Sequence, residues 1–369
     1  MFKRTLIAAS LTVAALASAQ AMAVTGGGAT LPAALYKGSS DSILPANFSY
    51  AAIGSGGGKT AFLTNNPAGF STTGTVHFAG SDSILSASEL STYSSTYGAS
   101  FGPLIQLPSV ATSVAIPYKK AGQTALNLTS AQLCDVFSGA KTTWGALLGT
   151  SDTTAIRVVY RNVSSGTSEI LTRHLNAVCP TQFATSTTFT AARIGGIALP
   201  SNWVGVANTS DVATAVNAVD GSIGYVGPDG VDATSNAVVA RVNGVQPTSA
   251  NVNLALASVT APSTAAQAAN PANWSPVVAN PALGYKLAAY TNFIFGQCYK
   301  DAAVAADVKA FLTKHYSIPG NNAATQAHKF VAVPDSWKNA VTANFITNTS
   351  GNNLDINNTT VCNTIGRPL

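Results

Sequence analysis

The sequence predicts an α/β protein whose sheets are mostly covered, because strand and helix signals alternate along the chain. The run Ile156–Tyr160 (IRVVY) is typical of a buried strand. The segment Ser168–Ala177 that follows it places Ile170 and Leu171 on one helical face. With 369 residues and no internal repeat, the chain is long enough for two domains with separate cores.

The strands are predicted from short apolar or β-branched runs. In chain order they are Thr75–Ala79 (TVHFA), Leu104–Tyr118, Ile156–Tyr160, Ser222–Val226 (SIGYV) and Leu287–Phe295 (LAAYTNFIF). Pro108 is expected to break the second, long segment, because proline has no N–H group to contribute to a sheet.

The helices are predicted from helical spacing of apolar residues and from capping residues at their starts. They are Ser86–Tyr97, Ser130–Phe137, Ser168–Ala177, Asp211–Val219, Asn251–Val259, Asp301–His315 and Asp335–Phe345. Either Thr129 or Ser130 is expected to cap the second of these helices. The segment Ala261–Pro281 is rich in Ala, Pro, Asn and Ser, and it is expected to be an irregular connection.

The N-terminus predicts a secretory signal peptide. Lys3 and Arg4 precede an apolar run from Leu6 to about Ala19, and Ala21-Met22-Ala23 is a small-x-small cleavage signal. We therefore expect cleavage after Ala23 and a secreted or periplasmic protein. The run is too short for a membrane anchor, and no later segment is long and apolar enough, so no membrane insertion is expected.

The charge of the chain is small, and this excludes one class of partner. Charged residues make up 9% of the sequence, and the net charge is +5. Loss of Lys3 and Arg4 with the leader would reduce the net charge to +3. With no run of Lys and Arg and no basic patch interleaved with aromatic residues, binding to nucleic acid is not expected.

The four cysteines predict two disulfides, as an even number does in an exported chain. They are Cys134, Cys179, Cys298 and Cys362, and three pairings are possible. We favour Cys134–Cys179 and Cys298–Cys362, because each pair then closes a local loop. A metal site is the weaker alternative, because the sequence contains no CxxC.

Four short segments place polar residues at predicted strand-to-helix turns. They are Gly26–Pro32, the GSG around Ser55 before the helical run Thr60–Leu63, Gly80–Ser83, and Arg161–Thr167. Singly, each is typical of a turn or a helix cap. Together they favour an anion site, because ligands bind at the carboxyl ends of strands and helix N-termini prefer anions. The stretch IGSGGGKT is no P-loop, since Ile53 stands where the first glycine is required.

These segments carry a resemblance to a known family. The motifs GATLP, GSGG, SD and R followed by SGT resemble, in the same order, those of the phosphate-binding proteins of phosphate ABC transporters (PstS-like). The stretches GGGATLP, QLPSVATSVAIP, LTSAQLCDVFSGAKTTW and VCNTIGRPL are similar to the DING subgroup, and especially to secreted alkaline phosphatases of pseudomonads. Transporter relatives have an acidic residue two positions after the arginine, where this chain has Val163.

The resemblance implies a two-domain periplasmic-binding-protein type II fold with a cleft between the domains. Domain I would combine residues 24–107 and 285–369, and domain II would be residues 108–284. The implied phosphate-binding residues are Thr30, Leu31, Ser55 and Asp82 from one side and Arg161, Ser165, Gly166 and Thr167 from the other. Asp82 would accept a hydrogen bond from protonated phosphate and would repel sulfate.

The function implied is the capture of inorganic phosphate by a monomer that needs no cofactor, with a phosphate transporter permease as a candidate partner. The alternative implied by the same resemblance is a secreted alkaline phosphatase acting on phosphomonoesters or phosphodiesters, for which no catalytic residue is assigned. The histidines do not favour a metal site, since they form no HxH or HExxH set. His174 is expected to be a core residue on an apolar helix face.

Overall fold

In the computed structural model of the chain, residues 24–195 and 198–369 are described. The predicted signal peptide and its cleavage site after Ala23 therefore lie outside the described residues. Within the described ranges, no helix combines the length and apolar character needed to cross a membrane.

The described residues form strands and helices that are interspersed along the chain. The strands are β1 (Gly26–Gly28), β2 (Phe78–Ser81), β3 (Leu104–Ser113), β4 (Tyr118–Lys119), β5 (Asn127–Leu128), β6 (Arg157–Arg161), β7 (Val204–Val206), β8 (Ser222–Gly224), β9 (Arg241–Val242), β10 (Ala288–Gly296) and β11 (Val331–Ala332). The helices are α1 (Ala33–Tyr36), α2 (Ser55–Leu63), α3 (Ala87–Phe101), α4 (Ser130–Ser138), α5 (Trp144–Leu148), α6 (Gly166–Val178), α7 (Phe189–Ala192), α8 (Thr209–Ala218), α9 (Ser249–Leu256), α10 (Ala265–Ala268), α11 (Ala302–His315), α12 (Asn322–Ala327) and α13 (Asp335–Val341).

Two main sheets organise the described part of the chain. The first has the strand order β1-β2-β10-β3-β11, and the second has the order β4-β8-β6-β7. Strand β1 is parallel to β2, and β6 is parallel to both β7 and β8. The chain leaves the first sheet after β3 and returns to it with β10, so two segments connect the sheets. The predicted α/β class is confirmed.

Each sheet is packed against its own apolar core. One core surrounds Phe293 and Phe311 at the first sheet, and another surrounds Val158 and Leu171 at the second. Strand β3 continues unbroken past residue 107 to Ser113, so the first sheet extends beyond the expected boundary at 107/108. The exact division into two domains stays a prediction.

The expected break at Pro108 is wrong, because β3 accommodates the proline at an irregularity in its pairing. Pro108 lies opposite Asn292, and Val110 lies opposite Thr291, which leaves Ser109 as an extra residue on β3. A bulge removes the need for a regular ladder hydrogen bond, and this is where a sheet tolerates proline.

Other predicted elements are confirmed with shifted ends. Helix α3 begins after Ser86, whose side chain forms a capping box with Glu89. Thr129 caps α4 in the same manner, accepting from the N–H of Gln132. The connection predicted as irregular contains the short helix α10, because Thr264 caps it.

The favoured disulfide pairing is confirmed. Cys134 and Cys179 are joined with an S–S distance of 2.04 Å, and Cys298 and Cys362 with one of 2.07 Å. The first bridge ties α4 to the end of α6, and the second ties the end of the chain to the segment after β10.

Candidate anion-binding site

The four predicted segments meet between the two sheets, where strands end and helices begin. The Ser55 segment differs from the prediction, because it follows α1 through a loop and not a strand, and because α2 begins at Ser55 and not at Thr60. Strand β2 ends at Ser81, directly before Asp82, and β6 ends at Arg161. Helix α2 begins at Ser55, and helix α6 begins at Gly166. Strand ends and helix N-termini therefore face one another across a single cleft, as is common in α/β folds.

Asp82 and Ser55 form the part of the site on the first sheet. The Asp82 N–H donates to Ser55 Oγ at 3.1 Å, and Ser55 Oγ lies 3.5 Å from Asp82 Oδ2. Asp82 is 2% exposed, and its Oδ1 has no hydrogen-bond partner. Burial raises the pKa of Asp82 to about 7, although the charge of Arg161 acts in the opposite direction.

Arg161 spans the cleft from the second sheet. Its Nη1 donates to Thr30 Oγ1 and to Thr209 Oγ1, each at 3.0 Å, and its Nη2 donates to the Ala207 carbonyl at 2.6 Å. The Arg161 backbone N–H donates to the Tyr225 hydroxyl at 2.9 Å. The guanidinium is buried, and its Nε has no hydrogen-bond partner. A fixed cation with an unused donor can bind an oxyanion.

The start of α6 contributes hydroxyl and N–H groups. Ser165 is the N-cap of this helix, yet its side chain makes no capping hydrogen bond. The hydroxyls of Ser165 and Thr167 are buried and have no hydrogen-bond partner. The N–H groups of the first turn have no acceptor within the helix, and the helix dipole favours an anion at this end.

Glycines allow the two sides of the cleft to touch. A Cβ atom on Gly166 would lie 2.4 Å from Asp82 Cβ and 2.5 Å from Ser55 Oγ. A Cβ atom on Gly54 would lie 2.3 Å from the Ser164 carbonyl oxygen. The two loops can therefore approach this closely only without side chains at Gly54 and Gly166.

Leu31 lies beside the site, but its side chain has an apolar role. It is 1% exposed, belongs to the core of the first sheet, and lies close to Gly227 on the other side of the cleft. A ligand contact by this residue would fall to its backbone N–H. Thr30, by comparison, directs its hydroxyl at Arg161.

Sequence reasoning missed two residues that hold Arg161. Thr209 opens helix α8, whereas the predicted helix began two residues later. Tyr225 follows β8, and its hydroxyl also lies 2.8 Å from Ser168 Oγ. A hydroxyl at the β7–α8 turn repeats the pattern of the four predicted segments, so Thr209 carried a usable signal. Tyr225 carried none.

Lys59, the lysine of the Gly-Lys-Thr sequence, is engaged by residues other than those that contact Arg161. Its Nζ donates to the Ile84 carbonyl at 3.0 Å and forms an ion pair with Glu89 at 3.0 Å. The lysine therefore ties α2 to the start of α3, which agrees with the rejection of a P-loop.

His174 is a core residue, as predicted. It is 1% exposed, and its Nε2 lies 3.1 Å from Ser130 Oγ. Burial lowers the pKa of His174 to about 4, which keeps the ring neutral at pH 7. Across residues 24–195 and 198–369, no three or more His, Cys, Asp or Glu side chains are grouped so as to hold a metal ion.

Comparisons with known proteins identify the family. Residues 14–314 match the family model of the PBP superfamily domain. The chain is 66% identical over 369 residues to alkaline phosphatase L of Pseudomonas aeruginosa strain PAO1, with full coverage of both chains. It is similar to the crystal structure of a phosphate-binding protein from Stenotrophomonas maltophilia, with a TM-score of 0.86, 49% identity, and coverage of 94% of this chain and 99% of that one.

A second solved structure is the phosphate-bound form of a high-affinity periplasmic phosphate-binding protein, PfluDING. Here the TM-score is 0.85 and the identity 45%, and the match covers 94% of this chain and 99% of the other. The chain therefore belongs to the PBP superfamily, among the phosphate-binding proteins of the DING type.

Proposed function

We propose that this protein captures inorganic phosphate, as HPO4, in the cleft between its two sheets, outside the cytoplasm and after removal of the signal peptide at Ala23. One observation carries the proposal. Asp82 Oδ1, Arg161 Nε, Ser165 Oγ and Thr167 Oγ1 are all buried and have no hydrogen-bond partner. Buried polar atoms are normally paired, so a set of them around one cleft supports a polar ligand as their partner.

The chemistry of these atoms matches HPO4. The guanidinium of Arg161, the hydroxyls of Ser165 and Thr167 and the first-turn N–H groups of α6 would donate to its negative oxygens. The Asp82 carboxylate would accept a hydrogen bond from the oxygen that keeps its proton. Sulfate has no proton to donate near neutral pH, so it would leave two negative groups in contact in a buried site.

The expected cleft motion follows from the same contacts. Thr30 on the first sheet bonds Arg161 on the second, and Gly166 touches Asp82 across the cleft. A ligand that contacts both sides stabilises this closed arrangement, and hinge bending in the two connecting segments would admit and release it.

The direct test is a calorimetric titration of inorganic phosphate into protein stripped of bound ligand, with sulfate in excess. We expect one phosphate to bind per chain with little effect of sulfate. Absence of binding, or equal competition by sulfate, would contradict the proposed function.

Gly166→Ala should weaken phosphate binding, because the added methyl group would hold α6 away from Asp82 and Ser55. We expect a loss of about 1–3 kcal/mol in binding free energy, as for other overpacked sites. Titration calorimetry measures the loss. Gly98→Ala is the matched control, since its Cβ would meet only Ser94 Oγ at 3.7 Å in α3. Equal affinities of the two variants would contradict a closed cleft in the bound state.

The remaining parts of this proposal concern partners. We propose that the protein acts as a monomer and that a phosphate ABC transporter permease is its partner in phosphate uptake. A sedimentation experiment on the phosphate-bound protein tests the first point, and phosphate uptake by cells that lack the protein tests the second.

A second candidate function is phosphate ester hydrolysis, because the relative that is 66% identical bears the name alkaline phosphatase L. If the cleft hydrolyses esters, Arg161→Ala should abolish release of p-nitrophenol from p-nitrophenyl phosphate. Hydrolysis that persists in this variant would place the activity outside the cleft.

A further inference from the structure

Thr291, on strand β10, lies next to Asp82 in the interior of the first sheet. Strand β10 is antiparallel to β2, and Asn292 pairs with Ser81, so the register brings Thr291 opposite Asp82. Both residues are buried, and Thr291 is 0% exposed. Burial raises the pKa of Asp82, and a hydrogen bond with the Thr291 side chain is the strongest influence in the opposite direction.

An irregularity in the sheet falls at the same place. On its other edge β10 pairs with β3, where Ser109 is an extra residue between the partners of Thr291 and Asn292. Bulges are common beside functional sites, where they redirect a side chain. The bulge therefore coincides with the residue of β10 that lies opposite the Asp82 carboxylate.

Tyr36 determines which way the Thr291 hydroxyl donates. Its hydroxyl lies 3.5 Å from Thr291 Oγ1, and its ring is stacked on Phe293 with the ring centroids 4.7 Å apart. Burial raises the pKa of Tyr36 well above its ordinary value, so the hydroxyl keeps its proton. An ionised carboxylate can only accept a hydrogen bond. Thr291 therefore donates to Asp82 and accepts from Tyr36.

We propose that Thr291 is a specificity-determining residue, whose hydroxyl, oriented by Tyr36, stabilises the ionised form of Asp82 and so sets the pH range in which the site rejects sulfate. This inference rests on the proposed phosphate site. Ionised Asp82 repels sulfate, whereas protonated Asp82 could donate a hydrogen bond to it. Thr291 acts through Asp82 and is a positioning residue.

Other charged and titratable groups also act on Asp82. Arg161 from β6 and Glu169 from α6 influence it by charge, and Glu169 forms an ion pair with Arg173. Tyr36 and Tyr50 lie close enough to interact with its charge, and burial raises the pKa of both well above the ordinary value. Substitution of Thr291 leaves all these groups in place, so a difference between the pH profiles of wild type and variant reports on the Thr291 hydroxyl.

The test is a calorimetric titration of sulfate into ligand-stripped protein from about pH 5 to pH 9, a range that includes the pKa of Asp82. Thr291→Val removes the hydroxyl and keeps the shape of the side chain, and Thr291→Ser keeps the hydroxyl. The matched control is Thr112→Val on β3, because Thr112 is also buried and its hydroxyl donates to the Ser113 carbonyl. Phosphate is titrated into each protein in parallel.

We expect the sulfate affinity of the wild type to fall by about tenfold per pH unit above a midpoint set by Asp82. Thr291→Val should move this midpoint upward by about one pH unit, as loss of one hydrogen bond to a carboxylate would. Thr291→Ser and Thr112→Val should keep the wild-type midpoint. Tyr36→Phe should shift it in the same direction by a smaller amount, because Thr291 keeps its hydroxyl and loses only its orientation.

A role confined to structure would lower the affinity of Thr291→Val for both anions at every pH without moving the midpoint. That result, a shift that Thr291→Ser does not restore, or no sulfate binding at any pH in wild type and Thr291→Val, would overturn the role of Thr291. Phosphate binding by the wild type in the same experiment would still support the phosphate site. Wild-type protein that does not bind phosphate would contradict the site itself.

Discussion

Arg161→Ala should weaken phosphate binding by about 2–5 kcal/mol, because truncating one partner of a buried, charge-assisted contact leaves the other partner unpaired. The Arg161 guanidinium brings a positive charge to the cleft, and it also joins Thr30 to Thr209 by hydrogen bonds. Its loss would remove both the charge that attracts the anion and a link between the two sides of the cleft.

The comparison that isolates this effect uses Arg157, on the same strand. Arg157 Nη1 donates to the Ala215 carbonyl and to Ser222 Oγ, each at 2.9 Å, and not to residues of the cleft. Titration calorimetry should therefore show near-native affinity for Arg157→Ala and a large loss for Arg161→Ala. Near-native affinity in the Arg161 variant would refute its role as the anion-binding cation.

Asp82→Asn should have the second largest effect, on selectivity. The amide carries no charge, so it no longer repels sulfate, and it offers an N–H donor to an unprotonated oxygen. Sulfate should therefore compete with phosphate in this variant and not in the wild type. Asp152→Asn, at a partly exposed ion pair with Lys120, is the control and should leave the competition unchanged.

The same variant should change how stability depends on pH. Burial raises the pKa of Asp82 from 3.8 to about 7, so the folded, ligand-free protein binds this proton more tightly than the unfolded chain does. Between about pH 4 and pH 7 this contribution to stability falls as the pH rises. Thermal unfolding of ligand-free protein should show a smaller loss over this window in Asp82→Asn than in the wild type. Parallel profiles would contradict the raised pKa.

Three buried histidines act in the opposite direction, and the variant comparison removes their effect. Burial lowers the pKa values of His77, His174 and His315 to about 4. The unfolded chain binds these protons more readily, so this contribution to stability is lost as the pH falls from about 6.5 towards 4. Wild type and Asp82→Asn share these histidines, so the difference between their profiles reports on Asp82.

Much of the site could be predicted from the sequence because its parts are local. A polar residue at the carboxyl end of a strand and before a helix lies at the end of a sheet whatever the rest of the fold does, which applies to Asp82 and Arg161. The residues that hold Arg161 in place depend on strand order instead. Tyr225 reaches the Arg161 N–H because β8 lies beside β6, and no local pattern reveals that pairing.

The features of the fold likewise differ in how well the sequence predicts them, because some have local causes and others depend on distant segments. Helix starts at Ser86 and Thr129 follow from capping residues that lie next to the helices they begin. The sequence predicts that Pro108 breaks a long extended segment. It does not break β3, because the irregularity that accommodates it depends on Thr291 and Asn292, far away in sequence. The close approach of Gly166 to Asp82 likewise brings together two segments that belong to different sheets.

The measurement that most directly tests the central claim is a crystal structure of the protein with inorganic phosphate. The proposal predicts phosphate between the two sheets, with one oxygen within hydrogen-bond distance of Asp82 Oδ1 and others near Arg161, Ser165 and Thr167. It also predicts a closed cleft in which Gly166 still touches Asp82. Phosphate bound elsewhere, or a cleft site that leaves the Asp82 carboxylate without a contact to the ligand, would contradict the account.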